Sequence, residues 1–119
     1  MTDEDSRNLG YLSLGMQHLQ IALRYAERGR RAFFDEENPD TARLIEAELR
    51  KAYESLNRLG ASFWNKNPRV PRDPIGKNRQ LLTHDYAGIA REEIWRIVSE
   101  EARPLLHLLM KAKISTTKS

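Results

Sequence analysis

A ten-residue stretch in the second half of the chain, KNRQLLTHDY from Lys77 to Tyr86, holds the residue types best suited to chemistry. Arg79, His84 and Tyr86 follow one another there in an arginine-x4-histidine-x-tyrosine pattern. Arginine presents a planar fork of N–H donors to phosphate oxygens, and histidine gains or loses a proton near neutral pH. Together they could promote attack of a ribose 2′-hydroxyl on its own phosphate without a metal ion. Histidine would act as acid or base, and arginine would stabilise the charge on the phosphoryl oxygens.

For these side chains to act together, the helix that carries Arg79 must end before His84. Residues five apart in a continuous helix point in directions that differ by about 140°. A helix end near Leu82 or Thr83 would let His84 turn back toward the long arginine side chain. Such a site also needs two proton-transfer groups, and this stretch supplies one histidine. A two-fold dimer that places two copies side by side would supply the second.

Spacing alone leaves a structural role open, because the same residues would also make an ordinary polar helix end. The other two histidines, His18 and His107, lie on predicted helices and are interpreted as structural or surface residues. No histidine pair has metal-ligand spacing, no glycine-rich phosphate loop is present, and no serine lies in a nucleophile-elbow context. We therefore predict no metal site and no cofactor.

Basic residues are concentrated just before and within the stretch. From Arg58 to Arg79 the chain carries six basic residues and one acid, Asp73, although its net charge is only +3. Positive residues on a loop and on the helix that follows it would suit a phosphate ligand. A solvated basic surface would give the same pattern, so the cluster alone does not decide between them.

The length of 119 residues suits one domain, which we place at residues 1–114, followed by a polar tail at 115–119. The chain contains no cysteine, which excludes disulfides and thiolate metal sites. It has no run of about 18 apolar residues that could span a membrane. Its acidic N-terminal residues do not resemble a secretory signal. We therefore expect a soluble, cytoplasmic protein.

Apolar residues at three- and four-residue steps predict three long helices and one short one. The second long helix has a heptad seam and contains Gly60, where we expect close packing. Helix breaks are expected at the proline-rich segment 65–74, and a kink or local break is expected after Arg103, before Pro104. We predict an all-α, antiparallel up-and-down bundle of four to five helices. The predicted helices are Ser6 (as cap) to Phe34, Pro39 to Trp64 with Asn38 as cap, Pro74 to Thr83 with Asp73 as cap, and Ala90 to Lys113.

The segment from about Tyr53 to Leu109 resembles the HEPN superfamily, specifically its HepT-like branch. The resemblance rests on a helix like AYESLNRLGASF, a proline-bearing loop like NPRVPRDPIG, the arginine-x4-histidine-x-tyrosine signature, and a following helix like GIAREEIWRIVSEEARPLL. Three positions depart from the family pattern. Gln80 replaces the usual asparagine after the signature arginine, Arg72 stands where an aromatic is usual, and Ala90 stands where an aspartate often caps the next helix.

The resemblance implies a dimeric helical bundle in which two signature motifs meet in a cleft. It implies metal-independent RNA cleavage by Arg79 and His84, in the toxin of a toxin–antitoxin pair. The antitoxin would be a minimal nucleotidyltransferase that adds adenylate to Tyr86, and the bulky anion would compete with RNA for Arg79. Residues expected to contact the RNA backbone or its phosphates are Lys77, Gln80, Arg72 and Arg69.

Two other interpretations stay open at this point. The chain could be a non-catalytic subunit that binds nucleotide or positions substrate for a separate nucleotidyltransferase, which Gln80 slightly favours. It could also be a plain helical dimerisation module in which Arg79 and His84 are surface residues. RNA cleavage, and its dependence on those two side chains, distinguishes the three.

Overall fold

The computed structural model describes residues 2–84 and 91–118, with side chains up to residue 112. Within these ranges the chain forms α-helices joined by short connections, and one π-helical segment lies between the last two of them. The helices are α1 (Asp3–Ala26), α2 (Arg30–Phe33), α3 (Asp40–Asn57), α4 (Ala61–Lys66), α5 (Arg72–Thr83), α6 (Arg91–Arg96) and, after the π-helical segment Ile97–Glu101, α7 (Ala102–Lys118).

Helix α1 begins and ends earlier than predicted. Thr2, not Ser6, caps it: the Thr2 hydroxyl accepts from the backbone N–H of Asp5 at 3.1 Å, and the Asp5 carboxylate accepts from that of Thr2 at 3.2 Å. The predicted continuation to Phe34 is wrong, because Gly29 has a φ of 96°, a left-handed conformation that interrupts the helix. Phe33 is nevertheless buried, on the short helix α2.

The predicted second helix is divided into α3 and α4. Helix α3 ends at Asn57, and Gly60 has extended backbone at the start of α4, so Gly60 is not inside a helix as predicted. Two side chains of α1 bind this junction: Asn8 Oδ1 accepts from the Gly60 N–H at 2.9 Å and Glu4 Oε1 from the Ser62 N–H at 3.2 Å. A Cβ atom on Gly60 would lie 2.6 Å from Glu4 Oε1, so the expected close packing is present.

The predicted caps of the middle helices are also different in the structure. The residue before α3 is Pro39, and Asn38 accepts from the Asp40 N–H at a long 3.4 Å. Helix α5 starts at Arg72, which places Asp73 in its first turn and not at its cap. The predicted end of α5 at Thr83 is confirmed.

The last helix is continuous across Pro104, so the predicted break after Arg103 is wrong. The irregularity lies one turn earlier, in the π-helical segment, where the N–H of Ala102 donates to the carbonyl of Ile97. Proline lacks an N–H and disturbs the preceding turn, and a widened turn before it accommodates that disturbance. Helix α7 continues to Lys118, beyond the predicted end at Lys113.

Long-range contacts run in opposite order along neighbouring helices. Between α1 and α3, Asn8 lies near Gly60 while His18 lies near Glu48, its Nδ1 2.6 Å from a carboxylate oxygen. Between α3 and α5, Glu54 contacts Arg79. Between α5 and the π-helical segment, Asn78 contacts Glu101. With α6, the π-helical segment and α7 forming one rod, the predicted all-α, antiparallel up-and-down bundle is confirmed.

The core consists of the apolar stripes predicted from the sequence. The seam residues Ile45, Leu49 and Leu56 of α3 are fully buried. Helix α1 approaches α3 closely at Gly15, where a Cβ atom would lie 2.5 Å from the Leu56 side chain. None of the helices in the described ranges is long and apolar enough to cross a membrane.

Candidate active site

Helix α5 carries the signature arginine on its packed side, against α3. Arg79 Nε donates to Glu54 Oε1 at 3.1 Å, and the two side chains are 37% and 34% exposed. Arg50 of α3 also donates through Nε to the carbonyl of Leu82 at 2.9 Å, near the end of α5. These contacts hold Arg79 at a half-open position on the surface.

Helix α5 ends where the proposed chemistry requires it to end. The Thr83 hydroxyl donates to the carbonyl of Arg79 at 2.7 Å, and the N–H of His84 donates to that of Gln80 at 3.1 Å. His84 itself has φ −90° and ψ 114°, an extended conformation just outside the helix. Its exposed side chain therefore no longer follows the helical direction that would separate it from Arg79 by about 140°.

A groove of about 510 Å³ lies on α5 next to the end of α3, and Arg79 is one of the residues that line it. Three of the predicted phosphate-binding residues, Arg72, Lys77 and Gln80, line it together with Arg79. The Arg72 guanidinium lies 5.4 Å from the centre of the Trp64 ring. Trp64 is itself held by a 2.9 Å bond from its indole N–H to the Leu59 carbonyl. Stacking on a fixed ring restricts Arg72 while its positive charge stays at the groove.

The remaining predicted residues lie elsewhere. Arg69 is exposed but lines a second depression, of about 270 Å³, with Lys66 and Lys111. His84 lies one turn beyond Gln80 and is not among the described residues that line the first groove. Tyr86 falls in the segment 85–90, outside the described residues. The structure thus brings Arg72, Lys77, Gln80 and Arg79 together and separates Arg69 from them.

Three residues of this region were not identified from the sequence. Glu54 pairs with Arg79 across helices, while Asn57 and Gly76 line the groove. Glu54 and Asn57 belong to α3, more than twenty positions before Arg79, and no local pattern joins them to the motif. Gly76 precedes Arg79 by three positions in α5, and a glycine inside a predicted helix was the one available signal.

The opposite face of α5 carries a buried polar cluster. Asn78 Nδ2 lies 3.5 Å from both the Tyr53 hydroxyl and Glu101 Oε1. Asn78 therefore points into the bundle, and Gln80 is the side-chain amide that faces the groove. Burial raises the pKa of Tyr53 to about 12, because desolvation outweighs the hydrogen bond from Asn78.

The raised pKa of Tyr53 predicts a loss of stability in strong alkali. An unfolded tyrosine ionises near pH 10, so stability is fully present below about pH 10 and is lost as the pH rises to about 12. A shift of about two units corresponds to roughly 2–3 kcal/mol. Urea unfolding of wild type and Tyr53→Phe across this range measures the effect. The wild type should lose that much stability relative to the variant, and a pH-independent difference would contradict the assignment.

The charged groups of the site are organised for an anion. Across the described residues, no three histidine, aspartate or glutamate side chains are grouped so that they could hold a metal ion. The groove has three cations, Arg72, Lys77 and Arg79, and one acid, Asp73, along its lining. A phosphate would find both a point charge on Lys77 and the planar forks of two arginines there.

Comparison with known proteins connects this geometry to a family. A family model described as ribonuclease HepT-like matches residues 16–112. Searches of the curated proteins and of the solved structures found no match. The matched span runs from the middle of α1 into α7, and it includes Arg79, His84 and every residue that lines the groove.

Proposed function

The chain belongs to the HepT-like ribonuclease family, and we propose that it cleaves RNA without a metal ion through Arg79 and His84. The observation that carries this proposal is the end of α5 at Thr83, which releases His84 from the helix five residues after Arg79. Arg79 is held beside a basic groove by Glu54, and both motif side chains reach solvent. We propose that in the complex with RNA both side chains contact one phosphate.

The proposed reaction is an internal transesterification. The ribose 2′-oxygen attacks the adjacent phosphorus and loses its proton to a base, while the bond from phosphorus to the 5′-oxygen breaks. The 5′-oxygen receives a proton from an acid, and the products are a 2′,3′-cyclic phosphate and a 5′-hydroxyl. Arg79 stabilises the extra negative charge on the phosphoryl oxygens. Arg72 and Lys77 bind the flanking backbone, Gln80 contacts the RNA beside them, and Arg69 contacts RNA farther along.

Acid and base are two roles, and His84 fills one of them in each chain. We propose a homodimer in which a two-fold axis places two motifs side by side, so that the second His84 fills the other. Anionic RNA between the motifs offsets the repulsion between their cations.

We propose that the protein is the toxin of a toxin–antitoxin pair and that Tyr86, two residues after His84 in the sequence, is the residue through which it is switched off. A minimal nucleotidyltransferase antitoxin would transfer adenylate from ATP to the hydroxyl oxygen of Tyr86, which loses its proton as pyrophosphate leaves. The added phosphate is an anion close to the motif, so it would occupy Arg79 and exclude RNA.

The first test is RNA cleavage by purified protein in excess chelator. His84→Ala should lower the rate by about 10²- to 10⁴-fold, the range typical of a general acid or base. His107→Ala, on α7, removes a histidine outside the motif and should leave the rate unchanged. If His84→Ala cleaves as fast as wild type, the proposed chemistry is wrong. If wild type binds RNA and the nucleotidyltransferase without cleaving RNA, the protein is a binding subunit instead.

A further inference from the structure

Gly76 occupies an unexpected position for a glycine. It lies inside α5 with ordinary helical backbone, where glycine costs about 1 kcal/mol relative to alanine. At Gly15 and Gly60 an added Cβ would collide with a neighbouring side chain, whereas at Gly76 it would meet nothing within 4 Å. The packing of this chain therefore does not require glycine at position 76.

The residues around Gly76 indicate which kind of ligand the groove would bind. Gly76 lines the basic groove, and with only a hydrogen as its side chain it leaves the α5 backbone open to a ligand there. Around it stand the cations Arg72, Lys77 and Arg79. The groove volume of about 510 Å³ is within the range of small-ligand sites. Three cations and one acid line the groove, and this excess of positive charge favours an anionic ligand.

The groove also carries groups that can read a base. Asn57, at the last position of α3, and Gln80 of α5 both line the groove with exposed side-chain amides, and Asp73 adds an acceptor. Each amide offers both a donor and an acceptor, the combination that hydrogen-bonds to the edges of unpaired bases in single-stranded RNA. Two such amides from different helices therefore suit a ligand that carries both donors and acceptors, as a base edge does.

We propose that this groove is a nucleotide subsite for single-stranded RNA. One nucleotide beside the cleaved phosphate lies against the α5 backbone at Gly76, and Asn57 and Gln80 hydrogen-bond to its base. The proposal rests on the ribonuclease function above and adds a determinant of base preference to it. The arginines and the lysine hold the backbone of that nucleotide, and Gly76 provides the close approach.

Binding of RNA, measured without cleavage, tests the subsite separately from the catalytic proposal. The probe is a mixed-sequence, single-stranded RNA octamer, and the proteins carry His84→Ala. Adding Gly76→Leu fills the groove and should weaken binding by about tenfold or more. Gly10→Leu is the matched control, because Gly10 lies inside α1, also has open space around its Cβ position and is not among the residues that line the groove. Thermal unfolding verifies that both variants fold.

Two results would overturn the subsite. One is octamer binding by the Gly76→Leu protein within about twofold of its Gly10→Leu counterpart. The other is a change in the particle mass of Gly76→Leu, measured by light scattering, while its affinity for RNA is unchanged. That result would show that the groove is an interface between copies of this chain. Neither result depends on whether wild type cleaves RNA. Loss of binding in Gly76→Leu together with no cleavage by wild type would support the subsite and reject the ribonuclease proposal.

Base reading has its own measurement. The affinities of the protein with His84→Ala for oligo-A, oligo-C, oligo-G and oligo-U define its base preference. Adding Asn57→Ala should change the ratio of two of these affinities by at least about threefold. Asn65 is an exposed asparagine on α4 outside the groove, so Asn65→Ala should leave the base preference unchanged. Equal weakening for all four oligonucleotides in Asn57→Ala would overturn the assignment of Asn57 to base recognition.

Discussion

Replacement of Arg79 with alanine is expected to lower RNA cleavage by about 10²- to 10³-fold while the protein stays folded. The loss is large because the guanidinium stabilises charge that develops in the transition state. The cost in stability is small, since the ion pair with Glu54 is more than a third exposed on both sides, and exposed pairs contribute at most about 1 kcal/mol. Single-turnover cleavage in chelator, together with urea unfolding, measures both effects.

Two conservative variants separate the charge of Arg79 from its orientation. Arg79→Lys keeps the positive charge but loses both the planar fork and the Nε–H that binds Glu54, so it should restore only a small part of the rate. Glu54→Gln keeps a hydrogen-bond acceptor for Nε and removes the carboxylate charge, so it should retain most of the rate. Wild-type cleavage by Arg79→Ala would remove Arg79 from the mechanism, and unfolding of that variant would show a structural role.

Replacement of Tyr86 with phenylalanine is expected to abolish neutralisation by the nucleotidyltransferase. The hydroxyl oxygen of Tyr86 is the proposed acceptor, so the variant gains no adenylate and stays active. Co-expression with a minimal nucleotidyltransferase of the proposed antitoxin class, followed by intact mass, measures the modification. Growth measures the neutralisation. Wild type should gain an adenylate-sized mass and grow, and Tyr86→Phe should show neither effect.

The matched control is Tyr11→Phe, which removes a hydroxyl from α1 and leaves the motif unchanged. It should be modified and neutralised as wild type is. A full mass gain in Tyr86→Phe would place the modification on another residue. Relief of growth arrest without any mass gain would indicate that the partner neutralises by binding alone.

The sequence predicted the parts of the fold that depend on local periodicity. The α3 seam of Ile45, Leu49, Ala52 and Leu56 is buried as its 4-3-4 spacing indicates. The family resemblance, based on the segment from Tyr53 to Leu109, is confirmed by a match that covers residues 16–112. The end of α5 at Thr83 was predicted because polar residues and a glycine follow it.

The helix breaks were missed because an apolar stripe can continue across an interruption. Phe33 is buried after the turn at Gly29, and Phe63 is buried after the break between α3 and α4, so the spacing alone suggested unbroken helices. The second break is stabilised by Glu4 and Asn8 from the other end of the chain. Such non-local caps have no signature near the residues that they stabilise.

The site was predictable in its motif and not in its surroundings. Arg79 and His84 stand in one short pattern, whereas Glu54 and Asn57 come to the side of Arg79 only through the packing of α3 on α5. Arg69 was grouped with the other cations by its sequence position. The turn at residues 67–70 instead directs it to the depression beside α7. Proximity in sequence predicts a shared site poorly where a proline-rich connection intervenes.

The chemistry of the cut ends tests the central claim most directly. Purified wild-type protein is incubated with single-stranded RNA in excess chelator, and the product ends are identified by mass spectrometry. Attack by the 2′-oxygen predicts fragments that end in a 2′,3′-cyclic phosphate and begin with a 5′-hydroxyl, and neither Arg79→Ala nor His84→Ala should form them at an appreciable rate. No cleavage in chelator, or fragments with 3′-hydroxyl and 5′-phosphate ends, would contradict metal-free cleavage by this motif.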